Sequence, residues 1–170
     1  MAEVTKRIIE LVGLNPARFR IDWASAAEAP RFVQIVTDFT ETIKEIGPLG
    51  EPEGLDRETI KLRLGAAREL CVKNRFRAAY GNLARAIKKE GDYSAESIAR
   101  KVEEKLVPLI KKELLEAEVK ALLARGPVSL ETLLAKTGAG QEEVVAVLEG
   151  LSKRGQVVQE GDLWQPKKKE

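Results

Sequence analysis

The stretch Arg18–Trp23, RFRIDW, decides the fold expected for this chain, because it is the one strand-like segment in the first two thirds of the sequence. Phe19, Ile21 and Trp23 point to one face and the charged side chains to the other, which predicts a half-buried β-strand. No second strand lies near it in the sequence. Its backbone is therefore expected to pair either with a distant part of this chain or with the sheet of another molecule.

Helices are expected on both sides of this strand. Apolar residues at helical spacing over 4–12 predict a first helix that ends at Gly13. Ser25-Ala26-Ala27-Glu28 has the pattern of a capping box, although Pro30 favours a regular helix that begins nearer to itself. An apolar stripe follows and ends at Gly47-Pro48. Its members are Phe32, Ile35, Val36, Phe39, Ile43 and Ile46.

The middle of the chain is expected to be helical and basic. A linker rich in glycine and proline, residues 49–54, precedes Asp56, which has the side chain of a helix cap. Gly81 and Gly91 are expected to interrupt the helical pattern, Ser94 to cap another helix, and Pro108 to divide that helix. The apolar face predicted for the first of these helices comprises Ile60, Leu64, Ala67, Leu70 and Cys71.

The last third predicts three helices followed by a hairpin, which is the order of a winged helix-turn-helix. Ser129 would cap the second helix, Gly138-Ala139-Gly140 would form a turn, and the third helix would end at Gly155. The fold class expected is mainly α with minor β (α+β). We divide the chain into a helix-strand-helix docking segment (1–48), a linker and basic helical region (49–112), a winged-helix-like domain (113–166) and a basic tail (167–170).

Composition excludes most kinds of active site. The chain has one cysteine, Cys71, and no histidine, so the commonest metal ligand and the commonest general base are both missing. Asp22 and Glu28 do not form a convincing acid-base pair, since Glu28 is expected to cap a helix and Asp22 alternates with arginines. Neither a membrane span nor a signal peptide is expected. We predict a cytoplasmic protein that is not an enzyme by itself.

Charge is distributed unevenly along the sequence. Residues 55–112 carry 15 basic and 8 acidic side chains, whereas the regions on either side are net acidic. An acidic partner could bind this basic middle, and a solvated helix face is the alternative. The residues 114–166 carry 5 basic and 8 acidic side chains, which disfavours nucleic acid as the partner of the winged helix. The possible acidic-partner contacts are Arg68, Lys73, Arg75 and Arg77.

An unpaired strand with an aromatic anchor indicates an interface. Trp23 could lie in a core, but tryptophan and arginine are common at interface centres. The predicted partner-interface residues are Arg18, Phe19, Arg20, Ile21, Trp23, Ser25, Glu28 and Phe32.

These same residues carry a family resemblance. The stretch Leu14–Arg20, then Trp23–Glu28, followed by Phe32, Phe39 and Gly47-Pro48, resembles the later part of the hydrogenase iron-sulfur subunit, also called the methyl-viologen-reducing hydrogenase delta subunit. Members of that family carry a [2Fe-2S] cluster and relay electrons to the flavin-bearing subunit of heterodisulfide reductase complexes. The cysteine-rich part that would supply the cluster ligands has no counterpart in this chain, and its one cysteine cannot replace the usual four.

The resemblance implies a subunit that completes or scaffolds a heterodisulfide reductase-like, electron-bifurcating complex of anaerobic metabolism. No cofactor is expected in this chain, and [2Fe-2S], [4Fe-4S] and FAD are expected in the iron-sulfur and flavin subunits that would be its partners. Phe19, Ile21 and Trp23 would pack in a core shared with a partner, and Arg18 and Arg20 would meet its polar or acidic groups. The alternative is a winged-helix DNA-binding transcription regulator.

Overall fold

The computed structural model describes residues 1–167; Lys168, Lys169 and Glu170, which belong to the predicted basic tail, lie outside the described residues. Eight α-helices and three short strands fill this part of the chain, so the predicted class, mainly α with minor β, is confirmed. The helices are α1 Ala2–Leu11, α2 Ala29–Ile46, α3 Arg57–Val72, α4 Asn74–Glu90, α5 Ala95–Lys105, α6 Val107–Leu123, α7 Leu130–Thr137 and α8 Gln141–Lys153. The strands are β1 Val128–Ser129, β2 Val157–Glu160 and β3 Leu163–Pro166.

The prediction of a β-strand over Arg18–Trp23 is wrong for this chain in isolation. Arg18 ends a short 3-10 helix, Pro16–Arg18, which Asn15 caps by accepting a hydrogen bond from the Ala17 N–H at 2.9 Å. Phe19 has extended backbone, with φ −129° and ψ 127°, but residues 19–25 pair with no strand among residues 1–167. Apolar and polar residues alternate here as in a strand. No neighbouring strand is available, so the ladder of backbone hydrogen bonds that defines a strand does not form.

Local capping signals place several of the helix ends correctly. Asp56 caps α3 by accepting hydrogen bonds from the N–H groups of Glu58 and Thr59, both at 2.8 Å. Ser94 and Ser129 cap α5 and α7 in the same way. Pro108 lies in the first turn of α6, where a missing N–H costs nothing, and thus separates α5 from α6. Gly91 ends α4 in a left-handed conformation.

Gly81 does not interrupt a helix, contrary to the prediction. It lies inside α4, which runs on to Glu90. A glycine inside a helix costs only about 1 kcal/mol relative to alanine. The packing of Phe76 and Leu83 from α4 against the neighbouring helices offsets that cost.

Two groups of buried side chains form the interior, and α3 and α6 contribute to both. The first group joins α1 to α3–α6 and includes Val4, Val12, Ala66, Leu70, Phe76, Leu83, Val102, Ile110 and Leu114. The second joins α3 and α6 to α7, α8 and β2 and includes Leu62, Val119, Leu123, Leu133, Val144, Leu148, Leu151 and Val157. Because α6 runs through residues 112 and 113, one continuous helix links the predicted middle and C-terminal regions.

The apolar face predicted for α3 is only partly correct. Leu62, Ala66 and Leu70 are its buried residues, whereas Leu64 is 41% exposed and Cys71 is exposed. The buried positions follow one another at intervals of four residues, and the small side chain of Ala66 allows α6 to approach closely. Which apolar residues of α3 are buried is therefore set by its contact with α6.

The C-terminal part has the predicted order of helices and hairpin. After α6, β1 leads directly into α7, and α8 leads into the β2-β3 hairpin, whose turn contains Gly161 at φ +59°. All strands pair antiparallel in the order β1-β3-β2, with Val128 opposite Trp164 and Val158 opposite Gln165. This small sheet places Trp164 beside α7 and α8.

Helix α6 carries three buried glutamates, and their surroundings differ. Glu116 accepts hydrogen bonds from Lys120 and Arg154, each at 2.8 Å. Glu118 is 7% exposed and forms no such bond with the described residues. Burial raises the pKa of Glu118 to about 7, and the charge of Arg63 offsets this only in part.

Replacement of Glu118 by glutamine should remove a pH dependence of stability. Because the pKa of Glu118 rises from 4.5 to about 7 on folding, the folded state binds more protons between these values, and the free energy of unfolding falls as pH increases. The Glu118→Gln variant should therefore melt at a higher temperature than the parent at pH 8 and at about the same temperature near pH 4. Thermal melts monitored by circular dichroism would measure both.

Glu104→Gln, on the exposed surface of α5, is the matched control and should change neither melt appreciably. If the variant and the parent instead differ in melting temperature by the same amount at both pH values, that result would contradict the assignment of a raised pKa to Glu118.

Candidate docking surface

Helix α2 lies outside the core, although its sequence is amphipathic. None of its residues is buried, and Phe32, Val33 and Val36 are 60%, 62% and 47% exposed. The remaining members of the predicted apolar stripe, Ile35, Phe39, Ile43 and Ile46, are half-buried. An amphipathic helix is normally stabilised by burying its apolar face. This helix presents a large part of that face to solvent.

The segment that precedes α2 adds two more exposed apolar side chains. Ile21 is 45% exposed and Trp23 is 82% exposed. A groove of about 350 Å³ lies between this segment and α2, lined by Arg20, Asp22, Ala24, Phe32, Ile35, Val36, Phe39 and Thr40. We call Ile21, Trp23, Phe32, Val33 and Val36 the docking surface. These 5 residues lie within 16 positions of the sequence, yet they are nearly half of the 11 large hydrophobic residues that the structure exposes.

Arg18 attaches the end of α2 to the rest of the chain. Its guanidinium donates hydrogen bonds to the carbonyl oxygens of Gly47 and Pro48, both at 3.0 Å. It also donates from Nε to the Glu53 carboxylate at 2.9 Å. The Arg18 side chain, which the sequence predicted as a partner contact, is only 11% exposed and is bound within the chain.

Glu53 completes this attachment, and sequence reasoning did not detect it. Its carboxylate also accepts hydrogen bonds from the backbone N–H groups of Asn15 and Gly50, each at 3.1 Å. The Arg18 guanidinium, together with the Asn15 N–H, lowers the pKa of Glu53 from 4.5 to about 2. The residues predicted to be a linker are therefore an ordered turn that holds the C-terminal end of α2.

The turn requires a glycine at position 50. It is buried with φ at +92°, and an added Cβ would lie 2.2 Å from the Ile60 Cδ1 and 2.8 Å from the Leu55 carbonyl oxygen. Both the left-handed conformation and the lack of space exclude a larger side chain.

Ser25 and Glu28 close a turn before α2. Glu28 accepts a hydrogen bond from the Ser25 N–H through its carboxylate at 2.8 Å, which is half of the predicted capping box. The helix begins at Ala29, with Pro30 in its first turn as the sequence indicated. The Ser25 N–H and the Arg31 guanidinium lower the pKa of Glu28. Both residues thus have a local role, and Arg20 likewise forms an ion pair with its neighbour Asp22.

The four predicted acidic-partner contacts have different surroundings. Lys73 and Arg75 both bind the buried Glu113 carboxylate, at 2.7 and 3.4 Å. Arg68 lines a groove between α3 and α6, and Arg77 lines a different groove beside α1.

The residues of this chain do not fit a resident iron-sulfur cluster. Cys71, the single thiol, is exposed near the end of α3, and the sequence contains no histidine. No group of three or more cysteine, histidine or acidic side chains within residues 1–167 is arranged to hold a metal ion. In the same range, no helix is both long and apolar enough to cross a membrane.

The segment that carries the docking surface is similar to known proteins. Residues 1–47 match the family model of the methyl-viologen-reducing hydrogenase delta subunit. The resemblance drawn from the sequence is thus confirmed for this part of the chain, which includes α1, the 3-10 helix and α2. No solved structure matches the chain.

The relatives are components of redox complexes. Over 48 residues, 28% of this chain, the sequence is 48% identical to a ferredoxin:CoB-CoM heterodisulfide reductase subunit of Methanosarcina mazei, of which the match covers 6%. It is 40% identical over 47 residues to an F420-non-reducing hydrogenase vhu iron-sulfur subunit of Methanopyrus kandleri, of which it covers 36%. The F420-non-reducing hydrogenase iron-sulfur subunit of Archaeoglobus profundus is 33% identical over 42 residues, 31% of that protein. The chain thus spans a minor part of each relative.

Replacement of Arg18 by alanine should loosen α2 without unfolding the core. The variant loses the hydrogen bonds to Gly47, Pro48 and Glu53, and none of these residues contributes to the buried groups of side chains. Hydrogen exchange followed by mass spectrometry should show faster exchange over residues 29–54 by about tenfold or more, and unchanged exchange in α6.

Arg31→Ala, which removes only the exposed ion pair with Glu28, is the control and should leave exchange in α2 nearly unchanged. Equal effects of the two substitutions would show that the Arg18 contacts do not hold α2.

Proposed function

We propose that this chain is a noncatalytic accessory subunit of a heterodisulfide reductase-like, flavin-based electron-bifurcating complex, and that it docks on an iron-sulfur or flavin subunit through the docking surface. The observation that carries the proposal is an apolar face left exposed within the one segment that matches redox-complex subunits. The chain would complete or scaffold the complex, and electrons would pass through the partner subunits.

Burial of the docking surface on a partner supplies the energy of association. Full burial of a side chain such as Phe32 is worth roughly 1.5–3 kcal/mol. Trp23 offers the largest gain, because it is 82% exposed and tryptophan is among the residue types most enriched at interface hot spots. We therefore place Trp23 and Phe32 at the centre of the interface.

The backbone before α2 gives the docking a specific geometry. Residues 20–24 form no backbone hydrogen bond with the described residues, and the side chains of residues 20–23 alternate between polar and apolar. A segment of this kind can add as a strand to the edge of a partner sheet, where main-chain hydrogen bonds fix its register. Ile21 and Trp23 would then enter the partner core together with Phe32.

The cofactors of the proposed complex belong to the partners. The relatives are named as iron-sulfur and heterodisulfide reductase subunits, whereas this chain lacks the thiolates that a cluster needs. In this proposal [2Fe-2S], [4Fe-4S] and FAD reside in the other subunits, and the complex operates in the cytoplasm as part of anaerobic metabolism.

Capture of the partners from the native organism tests the proposal. An affinity-tagged chain, purified without denaturant, should bring down iron-sulfur and flavin subunits in fixed stoichiometry, detected by native mass spectrometry and by bound iron and flavin. The Trp23→Ser, Phe32→Ser variant should weaken this association by about 100-fold or more, since it removes two central apolar contacts.

The control is Val72→Ser with Tyr93→Ser, which removes two residues of similar exposure, 68% and 63%, outside the docking surface. It should leave the association unchanged. Recovery of the tagged chain alone, or equal loss in both variants, would refute docking through this surface.

A further inference from the structure

A second groove lies in the C-terminal part of the chain, between α7, α8 and the hairpin. It has a volume of about 650 Å³ and shares no lining residue with the docking surface. We propose that this groove, the α8 groove, binds a protein segment in which lysine or arginine alternates with aliphatic residues. Its lining residues are Ser129, Leu130, Glu131, Val145, Leu148, Glu149, Gln159, Asp162 and Trp164.

The floor of the α8 groove is apolar and firmly held. Leu148 is 1% exposed and belongs to the second group of buried side chains, against which Trp164 and Leu130 also pack. Trp164 is fixed by the pairing of β3 with both β1 and β2. A half-buried tryptophan in a rigid wall provides a preformed apolar contact at little entropic cost.

The rim of the groove is negatively charged and not neutralised. Glu131, Glu149 and Asp162 are exposed, and none of them forms an ion pair with a cation within residues 1–167. No lysine or arginine of the described part of the chain lines the groove. Arg154, at the end of α8, is already bound to Glu116. Three carboxylates around an apolar floor therefore leave an unbalanced negative potential.

The negative charge of the rim favours a basic ligand in the α8 groove. A duplex or single strand of nucleic acid would bring its phosphates against three carboxylates, which repel it. A basic segment with aliphatic residues satisfies both features at once, because its aliphatic side chains cover Trp164 and Leu130 while its cations meet the rim. The α8 groove has these properties whether or not the docking surface binds a redox partner.

A matched pair of peptides tests the α8 groove directly. In the full chain, Trp23→Phe leaves Trp164 as the sole tryptophan, since the sequence contains two. A peptide of about ten residues that alternates lysine with leucine should shift the Trp164 emission saturably, with weaker binding at higher salt. The same peptide with glutamate in place of lysine should give no saturable shift.

Two variants of equal charge change separate the groove from nonspecific attraction. Glu131→Gln, Glu149→Gln and Asp162→Asn together should weaken binding of the lysine peptide by about tenfold or more. Glu69→Gln, Glu96→Gln and Glu104→Gln, on the surfaces of α3 and α5, should change it less than about twofold.

Three results would overturn the proposal. They are no saturable response of Trp164 to the lysine peptide, equal weakening by the two sets of substitutions, and a saturable response of Trp164 to duplex DNA added without the peptide. The substitutions are at exposed positions and preserve side-chain size, and melts of both variants close to the parent would show that each is folded.

Discussion

The packing of α3 against α6 is the contact on which the rest of the structure depends. These two helices pack together more extensively than any other pair of elements, and each supplies side chains to both buried groups. Ala66 and Ala117 are small enough to bring the helix backbones close, while Leu62 and Leu70 extend the contact in both directions. A chain with one cysteine, and thus no internal disulfide, relies on such packing for its rigidity.

The docking surface lies outside both groups of buried side chains. α1 is packed into the first buried group through Val4 and Val12, but α2 contributes no buried residue. The Arg18 guanidinium and the Glu53 carboxylate hold only the C-terminal end of α2. In this arrangement the C-terminal end of α2 is held, while apolar side chains of α2 and of the preceding extended segment remain exposed.

Local signals in the sequence located several helix ends, although the break between α3 and α4 at Lys73 was not among them. Nonlocal contacts account for other features that the sequence did not show. The caps Asp56, Ser94 and Ser129 act within three residues, so the pattern alone locates them. The alternation in Arg18–Trp23 could not show whether a neighbouring strand exists. Likewise, the role of Arg18 depends on Glu53, 35 positions away, and no periodicity encodes that distance.

The candidate site was predictable only where local sequence patterns define it. Ile21, Trp23 and Phe32 follow from apolar periodicity, and all three are exposed, Phe32 on α2 and the other two in the segment before it. Ser25, Glu28 and Arg18 were grouped with them by sequence proximity, but their hydrogen bonds are internal. The α8 groove was not anticipated, because Glu131, Glu149 and Asp162 are brought together only by the packing of α7, α8 and the hairpin.

Hydrogen exchange of the chain alone and within its purified native assembly is the most direct test of the account. Binding of a partner to the docking surface predicts strong protection over residues 19–46 in the assembly, with the backbone of 20–24 changing from fast to slow exchange as it gains strand partners. Unchanged exchange over this range, in an assembly that contains the chain, would contradict the central claim that the exposed face of α2 is a docking surface.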